Sequence, residues 1–179
     1  TEGLSIFGSA AYVDAKLTEN YCGTILPSGE PETDCANPQA PAGTQLPITP
    51  KFKGNITARY DFPVGDFDAH VQASLVYTGS TWSDLRIEAP VPPESDLIVP
   101  IRGNLGQNDA FATVDLSAGI ERANWRAEVF TKNLFDERGE IGRYTQCVIQ
   151  VCAQTLDFQS VYVIPTRPPT IGIRFGQDF

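Results

Sequence analysis

The stretch Lys51–Phe62, KFKGNITARYDF, decides the fold. Its even positions are Phe52, Gly54, Ile56, Ala58, Tyr60 and Phe62; its odd positions are Lys51, Lys53, Asn55, Thr57, Arg59 and Asp61. One set is apolar or small throughout and the other polar throughout. A helix would scatter a period-two pattern around its whole circumference. Only an extended strand sorts it onto two faces.

Working outward, the pattern recurs. Phe67, Ala69, Val71, Ala73, Leu75 and Tyr77 alternate with Asp68, His70, Gln72, Ser74 and Thr78, and Val76 is the exception. Ala110, Ala112, Val114, Leu116, Ala118 and Ile120 alternate with Asp109, Thr113, Asp115, Ser117 and Glu121. Leu4–Leu17, Trp125–Phe135 and Thr170–Phe179 carry noisier versions. In the last, Ile171, Ile173, Phe175 and Phe179 share a face opposite Thr170, Arg174 and Asp178. This predicts six long strands, against about 5–6 residues for an ordinary one. Twelve residues reach ~40 Å, enough for a tilted strand to cross a bilayer's apolar core. Tyr60, Phe62, Phe67, Tyr77, Trp125, Phe135 and Phe179 sit near strand ends, where membrane-interface aromatics collect.

The connections alternate as well. Pro63-Val64-Gly65-Asp66 and Arg122-Ala123-Asn124 are tight turns, whereas Thr18–Pro50, Thr81–Asn108 and Glu137–Thr166 read as long, structureless loops. Three such loops are foreign to a soluble domain. They suit an antiparallel up-and-down transmembrane β-barrel with short periplasmic turns and long extracellular loops. The expected fold class is therefore all-β, a partial barrel of about six strands. Six strands cannot close at the usual tilt.

Composition agrees. The chain has 179 residues, 41% hydrophobic and 20% charged, with a net charge of −9. That is not a disordered composition. No apolar run is long enough for a transmembrane helix. The acidic balance argues against nucleic acid, whose phosphates call for a basic face. The chain contains no Met, so Thr1 is not read as a translational start, and a longer parent protein is expected. The four cysteines fall as two close pairs, Cys22 with Cys35 and Cys147 with Cys152, all in the long loops. Their spacing is neither CxxC nor a zinc pattern, and there is one His. Disulfides would place the loops in an oxidising compartment; four free thiols is the alternative.

Specific motifs carry a resemblance. Asn133-Leu134-Phe135-Asp136, within Thr131–Glu137, resembles the NLFD segment that closes the penultimate strand of TonB-dependent outer-membrane receptors. Pro165–Ile173 is similar to that family's entry to its final strand, and Leu46-Pro47-Ile48-Thr49-Pro50-Lys51-Phe52 to its lead into an inward strand. An alternating strand with a terminal aromatic, here Ile171, Ile173, Phe175 and Phe179, is similar to the signal read by the barrel-assembly machinery. Pro169 departs from the pattern, where many relatives carry a basic residue; proline is tolerated at a strand's start.

The resemblance implies that residues 1–179 are the last six of twenty-two strands, with the plug domain and coupling box outside this chain. It implies a multi-pass protein of the Gram-negative outer membrane. The implied function is coupled uptake of a scarce nutrient, a ferric siderophore first, then cobalamin or an oligosaccharide. The implied partners are outer-membrane lipid, the protein's own plug, a TonB-type coupling protein and the assembly machinery. A passive porin-like barrel and a soluble cell-surface β-sandwich are the alternatives.

Individual residues add little chemistry. His70 falls on the lumenal face, where a solvated or hydrogen-bonded role outweighs a ligand role. The lumenal row Lys51, Lys53, Arg59, Asp61, Asp68, Gln72, Asp115, Arg126, Glu128 and Arg174 reads as a hydrated wall. Glu19, Glu30, Glu32 and Asp34 make the first loop acidic without the spacing of a calcium loop. Trp82, Tyr21 and Tyr144 could stack on a sugar or siderophore. No nucleophile–base pair, GxSxG or phosphate loop is present, so no catalytic residue, cofactor or metal is expected and the protein is not read as an enzyme.

Overall fold

The computed structural model describes residues 3–85, 106–145 and 161–178. In chain order the strands are β1 (Leu4–Tyr12), β2 (Phe52–Val64), β3 (Phe67–Thr78), β4 (Thr81–Trp82), β5 (Gln107–Asn108), β6 (Phe111–Arg122), β7 (Trp125–Lys132), β8 (Glu140–Thr145), β9 (Val161–Pro165) and β10 (Thr170–Gln177). Six of them form one antiparallel sheet in the order β1-β2-β3-β6-β7-β10. The sheet is open, with β1 and β10 at opposite edges. β4 with β5 and β8 with β9 form two small hairpins. Among the described residues there is no helix.

Register keeps the two faces separate across all six strands. Ile56 pairs with Leu75 and Leu75 with Val114; Ala58 pairs with Ala73 and Ala73 with Leu116. On the other side Thr57 meets Ser74, Arg59 meets Gln72, and Asp61 meets His70. The apolar face carries no Asp, Glu or Lys, and its one Arg, Arg122, lies at the turn beside Trp125. It is also uncovered: Ile171 and Ile173 are each 80% exposed and Ile6 62%. The only buried hydrophobic residues among those described are Ala40 and Ala69. A β-sandwich would bury this face against a second sheet. Here the apolar side chains face outward, as they do when the surroundings are lipid.

Aromatic residues mark both margins of that face. At the long-loop end Tyr12 lies opposite Phe52, whose ring is 5.9 Å from that of Tyr77. At the short-turn end Trp125 lies 5.8 Å from Phe67 and 6.4 Å from Phe175. Phe52 and Phe62 span one strand, which at ~3.3 Å per residue and ~45° tilt separates the margins by about 23 Å. That matches the ~25 Å apolar band of outer-membrane barrels.

Four expectations need correction. The first strand stops at Tyr12, short of Leu17, because beyond Val13 the chain leaves β2 and pairs within the loop, Lys16 with Gln45. The fifth long strand, β7, stops at Lys132, short of Phe135, because Asn133 turns to φ 50°. The long connections are not structureless where they are described. Residues 13–51 fold back as an irregular ladder, with bridges Lys16↔Gln45, Tyr21↔Ala40 and Ile25↔Pro31. Its foot rests on the β4–β5 hairpin, where the Ile48 amide donates to the Trp82 carbonyl at 3.0 Å. Ile48 has φ 59°, a strained value for a β-branched residue. The tight turns have two residues each, Gly65-Asp66 and Ala123-Asn124, so β2 runs on through Val64.

Candidate functional site

Two constellations stand out: a charge network on the polar face, and a hydrogen-bonded knot at the base of the third long connection.

The network is centred on Glu128 of β7. Arg174 of β10 lies directly opposite and donates from Nη1 to Glu128 Oε1 at 2.5 Å. His70 of β3 approaches Glu128 Oε2 through Nε2 at 3.3 Å, across the strand β6. That reach needs a small residue between them, and Gly119 supplies it. A Cβ at 119 would lie 2.5 Å from His70 Cε1. The Arg174 guanidinium also stands 4.3 Å from the centre of the Phe130 ring, a cation–π arrangement. Phe130 in turn lies over Gly172, where a Cβ would come within 2.5 Å of the ring. These glycines carry no signal in a period-two reading. Their roles appear only when the register places them beneath long side chains.

Both signs are thus balanced on the polar wall. Arg59 pairs with Asp61 at 2.9 Å along one strand, and Lys132 with Asp115 at 3.9 Å. His70 is a hydrogen-bonded wall residue, not a free ligand. Removing the central carboxylate, Glu128→Ala, is expected to cost about 1 kcal/mol, because Arg174 is 60% exposed and rehydrates. The urea midpoint of the folded barrel in detergent measures it. A loss above about 3 kcal/mol would mean that the network is a buried one.

The knot is built on Asn133. Its amide donates to Asp115 Oδ1 of β6 at 2.9 Å. Its side-chain oxygen accepts from the Glu137 amide at 2.9 Å. Its side-chain nitrogen donates to the carbonyls of Glu137, at 3.0 Å, and Arg167, at 2.7 Å. Its own carbonyl accepts from the Asp136 amide at 3.0 Å, closing a turn in which Asp136 also has positive φ. Asn tolerates this backbone conformation better than any β-branched residue. The Thr166 hydroxyl donates to the Glu137 carbonyl, and its backbone N–H donates to the Gly139 carbonyl. Asn133 is 5% exposed, while Phe135 is 73% exposed beyond the end of β7. Leu134 shares a shallow depression of about 650 Å³ on the apolar face with Val71, Leu116 and Ile171.

In the first long connection a disulfide joins Cys22 to Cys35. It links the two limbs of the ladder between the Tyr21↔Ala40 and Ile25↔Pro31 bridges. At the root, Lys16 hydrogen-bonds Asp14 at 2.8 Å and holds its carboxyl below the usual range; both are well exposed, so the pair adds little stability. Glu19, Glu30, Glu32 and Asp34 gather no metal site, and none occurs among the described residues. Tyr21 lies in the ladder, Trp82 at its foot and Tyr144 in β8. Ile171, Ile173 and Phe175 of β10 all face the apolar side, in register with Thr131, Val129 and Ala127. Cys147, Cys152 and Phe179 lie outside the described residues.

Comparison with known proteins agrees with this geometry. The family model described as TonB dependent receptor-like, beta-barrel, matches residues 3–134. No curated protein and no solved structure matches the chain.

Proposed function

The chain belongs to the TonB-dependent receptor β-barrel family, and on that premise we propose that it supplies wall, outward loops and final strand to a receptor for a scarce, bulky nutrient. The family is one of outer-membrane receptors and transporters, not a class of enzymes. The ligand proposed first is a ferric siderophore, then cobalamin or an oligosaccharide. The long connections on one end of the sheet capture it. A plug domain within the barrel, pulled by a TonB-type coupling protein, releases it past the polar wall. Residues 1–179 are then the C-terminal part of the barrel, and Ile171, Ile173, Phe175 and Phe179 form its assembly signal.

One observation carries the reading. The same six strands present an uncovered apolar face and a charge-balanced polar face, in register from β1 to β10. Only a wall between lipid and water asks for both. The unpaired edges of β1 and β10 fit the same picture, because open strand edges in hydrocarbon are costly and call for further strands.

The experiment is uptake of labelled ferric siderophores by iron-starved cells with and without the gene, before and after a protonophore. Uptake should need both the gene and the proton gradient. Gene-dependent but energy-independent passage of small solutes would establish the passive barrel instead. A protein that stays in aqueous extracts would establish the soluble module.

A further inference from the structure

We propose that Asn133 is a clamp that closes the base of the third long connection, so that this loop and the final strand β10 behave as separate mechanical units. The excursion leaves the sheet after Lys132 and returns at Thr170. Its two ends, Glu137 and Arg167, lie far apart in sequence. Both are held by one buried side chain, through the carbonyl and amide of Glu137 and the carbonyl of Arg167. The clamp is itself fixed to the wall, since its amide is held by Asp115 and the next amide, Leu134, by the Val114 carbonyl at 2.8 Å.

Below the clamp, β10 has its own register contacts, Gly172 beneath Phe130, Arg174 against Glu128 and Gly176 beneath Arg126. Nothing in that set depends on the loop. Between clamp and strand, Pro168 and Pro169 have no amide to pair, and the Pro168 carbonyl accepts only locally, from the Thr170 hydroxyl, so among the described residues the clamp is the last tie to the wall before β10 begins. A loop that moves or is displaced by a ligand thus pulls on Asn133, not on the β7–β10 pairing. A turn role alone would ask only for a residue that accepts positive φ. The clamp asks for an amide, with both a donor and an acceptor.

Asn133→Asp separates these roles. Aspartate tolerates the same backbone and keeps the acceptor for the Glu137 amide, but it loses both donated bonds and sets a charge beside two carbonyls. The test uses the full-length protein in isolated outer membranes, with trypsin added from outside. Cleavage after Arg138 and Arg143 is timed by mass spectrometry, and the heat-modifiable barrel band is followed in parallel. Asn133→Asp should be cut at least tenfold faster than the parent while the barrel band persists. Asn133→Gly, which keeps the backbone and removes the whole amide, should behave the same way. Cleavage of Asn133→Asp at the parental rate would overturn the clamp. Loss of the barrel band in Asn133→Asp would overturn the separation of loop from strand.

Discussion

Ala73→Arg is expected to abolish stable insertion of the barrel. Ala73 lies in the middle of β3 on the apolar face, between Ala58 of β2 and Leu116 of β6. The aromatic margins at Phe67 and Tyr77 stand on either side of it along the strand. An arginine at the bilayer midplane of such a barrel costs ~2–4 kcal/mol. At about 1.4 kcal/mol per tenfold, that lowers the folding equilibrium by roughly 30-fold to several hundred-fold. The side chain is too far from either margin to bring its charge into water without thinning the bilayer. Val76→Arg is the matched control. It adds the same charge to the same strand, but on the polar side, between Asn55 and Thr113. The heat-modifiable fraction of protein refolded into liposomes should collapse for Ala73→Arg and stay near parental for Val76→Arg. Equal behaviour of the two variants would contradict the assignment of the faces.

Replacing Cys22 and Cys35 together with alanine should loosen the first loop and leave the sheet intact. The disulfide spans 13 positions of sequence, and closing such a loop is worth about 3 kcal/mol in the chain-entropy model. The other ties of the loop are three isolated bridges and backbone hydrogen bonds such as Leu17 to Thr44 and Leu46 to Ala15, with Ala40 as its one buried hydrophobic residue. The amides of Tyr21 and Ala40, which bond each other's carbonyls at 2.7 and 3.2 Å, report the opening. Their hydrogen exchange should accelerate by roughly a hundredfold or more, while amides of β2 and β3 keep their protection. Unchanged exchange at Tyr21 would mean that the ladder holds without the staple.

The wall was legible because each of its strands repeats a two-residue rule. Lys51–Phe62 and Phe67–Thr78 show it most cleanly, and in the structure they pair along almost their whole lengths. The rule weakens at Phe7, Phe111 and Phe130, which lie on the polar face. At the last two of these an aromatic ring covers a glycine on a neighbouring segment: Phe130 covers Gly172 and Phe111 covers Gly139. A single strand read alone cannot show such a pair, since its two halves come from different parts of the chain. The ends of β1 and β7 escape the rule for a related reason. What stops β7 is one positive φ at Asn133, stabilised by Asp115, Glu137 and Arg167.

Sequence by itself determined which side chains of β2, β3 and β6 share a face and roughly where the tight turns fall. Those properties follow from local alternation and from short runs of residues, so no distant partner is needed to read them. Tertiary structure alone decided that His70 and Arg174 share Glu128, that Gly119 and Gly172 exist to make room, and that one asparagine holds both ends of a loop. Each of these depends on register, which sets residues far apart in sequence side by side in the sheet.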